Sequence, residues 1–347
     1  MFPFFLILIK CEIDTFSFSS NEELEKLKQK VAKCISFKNP AQILSTKTTS
    51  SRKHYKKLLD ITKIYRKIER PSYNDCNGPF LEEEFIKYFR DMPLPAFGGL
   101  IPLFVQWFAL WKHNPKVYLK TVNKILSDLE PNYLYLIISE SDYGFNGDGV
   151  STIPIPSNII VLSASGMGHV AVPWLQCNIQ PRSRLNYQYF MSFCGNFVSS
   201  KQRKKSILAA NAIFGHDLAL YRGNNWKEVY SNSSFGYSPR GISVSTYRTY
   251  ELIRLHVIPV VESDTRHWLP YYPVINWTRF SIITSINELP RTYLRMKAMT
   301  KNEILSMQSY LNDISETHFQ WDGVFKQISL FFKGGNTSLT CNPGFLT

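Results

Sequence analysis

From about residue 187 onward, short apolar runs alternate with amphipathic stretches in a regular order. The runs at 189–194, 234–238, 257–261 and 280–283 are aromatic or β-branched and are bounded by Gly, Pro or Ser, the pattern of buried strands. Between them, 201–214 and 245–256 carry helical spacing, and the unit from 234 to 261 has the roughly 30-residue length of a strand–helix–strand crossover. Ser285 with Glu288 and Thr300 with Glu303 are capping boxes that predict two more helices, and an amphipathic helix is predicted over 321–333. This rhythm predicts an α/β fold with a parallel sheet covered by helices.

The first 180 residues are less regular. Ser20 and Glu23 cap a predicted helix over 21–35, 38–51 reads as a loop, and 81–92 reads as a further helix. Strands are expected at 133–138 and 159–163, with Pro and Gly punctuating 93–102. The apolar run Met1–Ile9 falls short of the ~20 residues a membrane-spanning helix needs, and it fits a buried strand or a clipped signal anchor equally well. A chain of 347 residues implies two domains with a cleft between them. The expected division is a first domain over 1–180, with 1–100 the least assigned part, a second over 181–333, and a tail over 334–347.

Charge widens the list of partners before motifs narrow it. The net charge of +13 favours phosphates, acidic polysaccharides, nucleic acid or anionic lipid, so an acidic glycan partner and peripheral membrane association are both permitted. Much of the excess lies between Arg52 and Arg70, read as one basic helix with a docking face and a wet face. No nucleic-acid motif accompanies the charge, and a nucleic-acid partner is not expected. Six cysteines form no CxxC pair, and the chain has no Asp-x-Asp, so neither a structural zinc nor an acidic-pair metal site is expected. Sequons at Asn232, Asn276 and Asn336 would be used only in a secretory lumen, the expected location, with the cytoplasm the alternative if Met1–Ile9 is not a signal.

The segment Ser238-Pro239-Arg240-Gly241-Ile242-Ser243-Val244-Ser245-Thr246-Tyr247-Arg248-Thr249-Tyr250-Glu251 puts a glycine and several hydroxyls between a strand end and a helix start. Free backbone N–H groups there are a seat for phosphate. Arg248 and Glu251 share a helix face, where an arginine can grip a diphosphate and a carboxylate can accept from ribose hydroxyls; an ordinary intrahelical ion pair is the plainer reading. This segment, continued by Ile258-Pro259-Val260-Val261, Ser263-Asp264, Trp268-Leu269-Pro270 and Ile275-Asn276-Trp277, resembles the exostosin-like glycosyltransferase signature. Phe193-Cys194-Gly195-Asn196 with the basic run 201–205, and Val170-Ala171-Val172-Pro173, are similar to further family pieces.

The resemblance implies a GT-B-like fold, two Rossmann-like domains facing a central cleft, and inverting transfer from a nucleotide sugar, commonly a uridine diphosphate sugar, to a glycan. No other cofactor is implied. By position it makes Arg240, Gly241, Ser245, Arg248, Glu251 and Asp264 donor-binding candidates in a nucleotide-sugar-binding domain over 181–333, with the acceptor-side domain over 1–180. It puts Gly195 and Arg203 on the phosphate side, Lys201, Lys204 and Lys205 being alternatives to Arg203. His256 departs from the pattern, standing where the family usually has glycine. A non-catalytic glycan- or partner-binding member of the same fold is the alternative.

Inversion needs a base opposite the leaving diphosphate. Glu140, Asp142 and Asp148 follow the strand expected at 133–138, with Asp142 and Glu140 the leading candidates and His169 a rival. Gly166-Met167-Gly168-His169-Val170-Ala171 mimics a dinucleotide fingerprint, but Pro173 blocks the helix such a motif must open, and no acidic residue follows about 20 positions on.

Overall fold

The computed structural model describes residues 29, 34, 46–70, 76–144, 153–181, 187–263, 268–333 and 337–341. The helix expected at 21–35, the run Met1–Ile9, Asp148, Asp264 and Asn336 lie outside the described residues.

Two parallel sheets organise the chain. The first follows helices α1 (Thr49–Thr62) and α2 (Leu81–Phe89), and contains β1 (Leu100–Pro102), β2 (Leu134–Ser139), β3 (Ile159–Ser163) and β4 (Val170–Ala171) in that order. Helices α3 (Trp107–His113) and α4 (Pro115–Ser127) form the crossover from β1 to β2. Every residue of β2 and β3 is buried, as a parallel sheet covered on both faces requires.

The second sheet contains β5 (Tyr189–Cys194), β6 (Leu218–Tyr221), β7 (Ser233–Ser238), β8 (Ile258–Glu262) and β9 (Ile282–Thr284) in the order β6-β5-β7-β8-β9. Helices α5 (Lys201–Phe214), α6 (Trp226–Ser231) and α7 (Tyr247–Arg254) connect its first four strands. Because β5 pairs with both β6 and β7, the winding direction reverses between β5 and β7. Such a reversal opens a crevice at the carboxyl ends of those strands, where open α/β sheets bind ligands.

Helices α8 (Leu289–Ala298), α9 (Lys301–Ile314) and α10 (Trp321–Phe332) close the chain, and both predicted capping boxes are formed. The last helix returns to the first sheet's side. Phe325 and Phe332 pack on Phe89 at 5.7 and 5.3 Å between ring centroids, and Phe332 also meets Phe97. Two disulfides, Cys34–Cys341 and Cys76–Cys177, join distant parts of the chain, and Cys194 is buried and free.

The basic stretch corrects the expectation of one helix over 52–70. The α-helix stops at Thr62, a short 3-10 turn runs through Tyr65, and Arg66 then folds back to donate to the Leu59 carbonyl. Arg52, Lys53, Lys56 and Lys57 are exposed, while Tyr55 and Leu58 are buried. The sequence pattern does not announce the strand at 100–102, three residues long, following Gly99 and ending on Pro102, or the helices at 107–113 and 115–127.

Candidate functional site

The carboxyl ends of both sheets border one cavity of about 290 Å³. From the second sheet come Arg203, Gly241, Ile242, Ser245, Thr246 and Tyr247, and from the first sheet's side come Arg70, Phe108, Trp111, Ser141 and Asp142. The turn between β7 and α7 therefore faces the cleft, and α7 begins there. Thr246 is its N-cap, its hydroxyl accepting from the Arg248 N–H.

Arg203 shapes that turn. Ser200 caps α5 and places Arg203 in its first turn, buried, with its guanidinium donating to the carbonyls of Pro239 and Arg240 at 3.2 Å each. A Cβ on Gly241 would come within 2.9 Å of Arg203 Nη2, so a side chain there would collide with the group that holds the turn. Gly195, the residue after β5, has φ +148, a region L-residues rarely adopt, so its backbone rather than its space calls for glycine. Arg240 lies in an adjoining crevice with Ser238, Ser245 and Thr249.

Arg248 and Glu251 come together as expected, but as a buried pair behind the cavity wall. Arg248 Nη1 stands 2.5 Å from Glu251 Oε2, and the guanidinium packs on the rings of Trp226, Tyr230 and Tyr247. Burial works against its charge, but Glu251 together with Tyr230, Tyr247 and Cys194 more than offsets it, so the Arg248 pKa lies above its usual value. Burial pushes the Glu251 carboxyl upward, with Arg248 and a 3.2 Å bond from Gln176 Nε2 pulling against it. Gln176 also lines the cavity and precedes Cys177, whose carbonyl, like that of Gln176, accepts from Arg254.

The base candidates separate. Asp142 lines the cavity, and its Oδ1 accepts from Ser243 Oγ at 2.9 Å across the cleft. Burial raises its pKa, opposed by the hydrogen bonds from Ser243 and by the charges of Arg203 and Lys112. Glu140 does not line this cavity. Its carboxylate is paired with Arg70 and accepts from the Leu81 N–H at 3.0 Å. His169 is also set aside: its Nδ1 accepts from the Val161 N–H at 2.9 Å, and burial pushes its pKa down to about 4. The departure at His256 has a backbone meaning. It follows α7 at φ +60, the left-handed position after a helix where glycine sits without strain, and it lies outside the cavity lining.

Sequence reasoning did not find Phe108, Trp111, Gln176 or Ser243 as site residues. Only the last lay inside the quoted motif, and the others reach the cavity through contacts no local spacing encodes. Among the described residues, no group of three or more His, Cys, Asp or Glu side chains could hold a metal ion. No helix of the described residues is long and apolar enough to cross a membrane.

The chain is 25% identical over 112 residues to the probable glycosyltransferase At5g03795 of Arabidopsis thaliana, a match covering 32% of this chain and 21% of that protein. It is 26% identical over 113 residues to exostosin-1a of Danio rerio and 25% identical over 113 residues to exostosin-1 of Bos taurus. Over that stretch the chain is similar to the exostosins. The exostosin matches span 32% of this chain and 14% of each exostosin, so the likeness covers a minor part of those proteins. No family model matches. Among solved structures, a point mutant of S. aureus TarM in complex with fondaparinux, alpha-GlcNAc-glycerol and UDP aligns with TM-score 0.38 at 10% identity, over 61% of this chain and 46% of that one. The two parallel sheets across one cleft are the GT-B-like arrangement the exostosin-like signature implies.

Proposed function

We propose that this exostosin-like chain is an inverting glycosyltransferase that moves a sugar from a nucleoside diphosphate sugar, uridine diphosphate being the nucleotide the family implies, to a glycan acceptor. The observation that carries this reading is the opposition across one cavity of the α7 N-terminus with its Arg203-braced turn and the carboxylate Asp142.

The diphosphate lies against the turn at 239–247, where backbone N–H groups and Arg203 take up the negative charge that grows as the leaving group departs. Asp142 accepts the proton of the acceptor hydroxyl while that oxygen bonds to the anomeric carbon. The bond from this carbon to the diphosphate oxygen breaks on the opposite face, and the nucleoside diphosphate leaves with the electron pair. A carboxyl held above its ordinary range by burial is a stronger base than a solvated one. Gly195, Arg240, Arg248 and Glu251 shape the donor side from behind the wall, and Ser245 lines it directly.

The exposed cations of α1 suit an acidic acceptor or an anionic membrane surface. Two disulfides within one chain fit an oxidising compartment such as the secretory lumen. A donor panel read by nucleotide release tests the proposal. Asp142→Asn should lower release by about 10²–10⁴-fold and leave UDP binding intact. Binding of UDP without release from any sugar nucleotide would instead mark a non-catalytic member.

A further inference from the structure

The cavity walls differ in chemistry. The second sheet's wall offers Arg203, Gly241, Ser245 and the α7 N-terminus, groups suited to phosphate. The facing wall carries Phe108 and Trp111 beside Asp142. These two aromatics are three residues apart on α3 and share a face, with ring centroids 5.8 Å apart and planes inclined at 45°. Both are only partly buried.

We propose that Phe108 and Trp111 form the platform on which the acceptor's terminal sugar ring stacks. The inference rests on the transferase reading, because it takes Asp142 as the group that receives the acceptor's proton. An acceptor hydroxyl within reach of Asp142 puts its ring on the wall that holds Asp142. A sugar ring has one face of C–H groups, and the electron-rich face of an aromatic side chain is its natural counterpart, with polar groups needed only at the edge. Lys112, exposed, holds its Nζ over the Trp111 ring at 5.0 Å from the centroid, where its three donors can meet the hydroxyls of a sugar bound there. Arg70, which also lines the cavity, packs over the Phe108 ring at 4.3 Å from its centroid.

Platform and base are held in register by one side chain. The buried Glu82 carboxylate accepts from the Phe108 N–H at 3.0 Å on one oxygen and from the Glu140 N–H at 3.1 Å on the other. The first bond anchors the start of α3 and the second anchors the segment that leads to Asp142. A ring seated on α3 is thereby set at a fixed distance from the base.

The test uses the full chain, UDP, and a printed panel of defined neutral and uronic-acid-bearing oligosaccharides read with UDP present. Wild type and Trp111→Phe should retain the same oligosaccharides. Trp111→Ala should weaken that retention by at least about tenfold, with its melting temperature and UDP Kd close to wild type. The platform is overturned if Trp111→Ala retains the oligosaccharides, if its UDP Kd weakens by the same factor, or if wild type binds UDP and no member of the panel. Wild type that fails to bind UDP refutes the transferase reading and the platform with it.

Discussion

Two buried arginine–carboxylate pairs flank the cleft, and they were built in opposite ways. Arg248 and Glu251 are one helical turn apart on α7, with side chains 6% and 4% exposed, and three aromatic rings surround the guanidinium. Arg70 and Glu140 are 70 residues apart, Arg70 keeps 14% exposure, and Phe80 and Phe108 pack on it. The first pair raises the arginine pKa above its usual value, whereas burial draws Arg70 down to about 10, with Glu82 and Glu83 opposing the fall. The local pair is electrostatically closed. The distant pair stands at the cavity edge beside a third carboxylate, Glu82, and belongs to a network that also sets α3 and the Asp142 segment.

Breaking each pair should expose that difference. Arg248→Ala leaves Glu251 buried with Gln176 as its remaining hydrogen-bond donor, and should destabilise the protein by about 3–5 kcal/mol. Arg70→Ala leaves Glu140 with the Leu81 N–H and opens it to the crevice that both residues line, and should cost about 1–3 kcal/mol. Urea unfolding of both variants measures the gap, and a larger loss for Arg70→Ala would reverse the ranking. Replacing Arg248 and Glu251 together by Met and Leu should recover much of the first loss, since the penalty lies in the orphaned charge.

The same contrast explains what the sequence revealed. Helix 201–214, strand 189–194 and both capping boxes coincide with the expected elements, because each is encoded by neighbours within a few residues. The turn at 238–247 was legible for the same reason, its glycine and hydroxyls lying in one run between a strand and a helix. The first sheet's wall was not. Phe108 and Trp111 sit on a seven-residue helix framed by Gln106 and Asn114, too short for a periodic signal, and Arg70 meets Glu140 only through the tertiary fold. Glu140 and Asp142 were both noticed after β2, but spacing could not show that one carboxylate turns into an ion pair and the other into the cavity.

Titration probes the open network next. Burial pushes the Glu82 carboxyl up from 4.5 to about 8, with the Phe108 N–H and Arg70 opposing the shift. The sign follows from linkage: the unfolded chain ionises Glu82 first, so its contribution to stability is full below pH 4.5 and is lost as pH rises through 8. Melting temperature should therefore fall across that interval in wild type, and Glu82→Gln should flatten the fall. An equal slope in the variant would assign the pH dependence to other groups.

The closed pair has one weak edge, the bond from Gln176 Nε2 to Glu251 Oε1 at 3.2 Å. Gln176→Leu keeps similar volume and removes that donor, so Glu251 retains its ion pair with Arg248 and the more distant charges of Arg254 and Lys227, and its carboxyl moves further upward. The loss should be about 1.5 kcal/mol, the lower range for a hydrogen bond to a charged group, because the ion pair itself survives. Since Gln176 also lines the cavity, UDP titration is informative beside urea unfolding. A stability loss with unchanged UDP affinity would make Gln176 a brace for the pair. A parallel loss of affinity would mean that the local pair, for all its closure, still transmits its geometry to the donor wall.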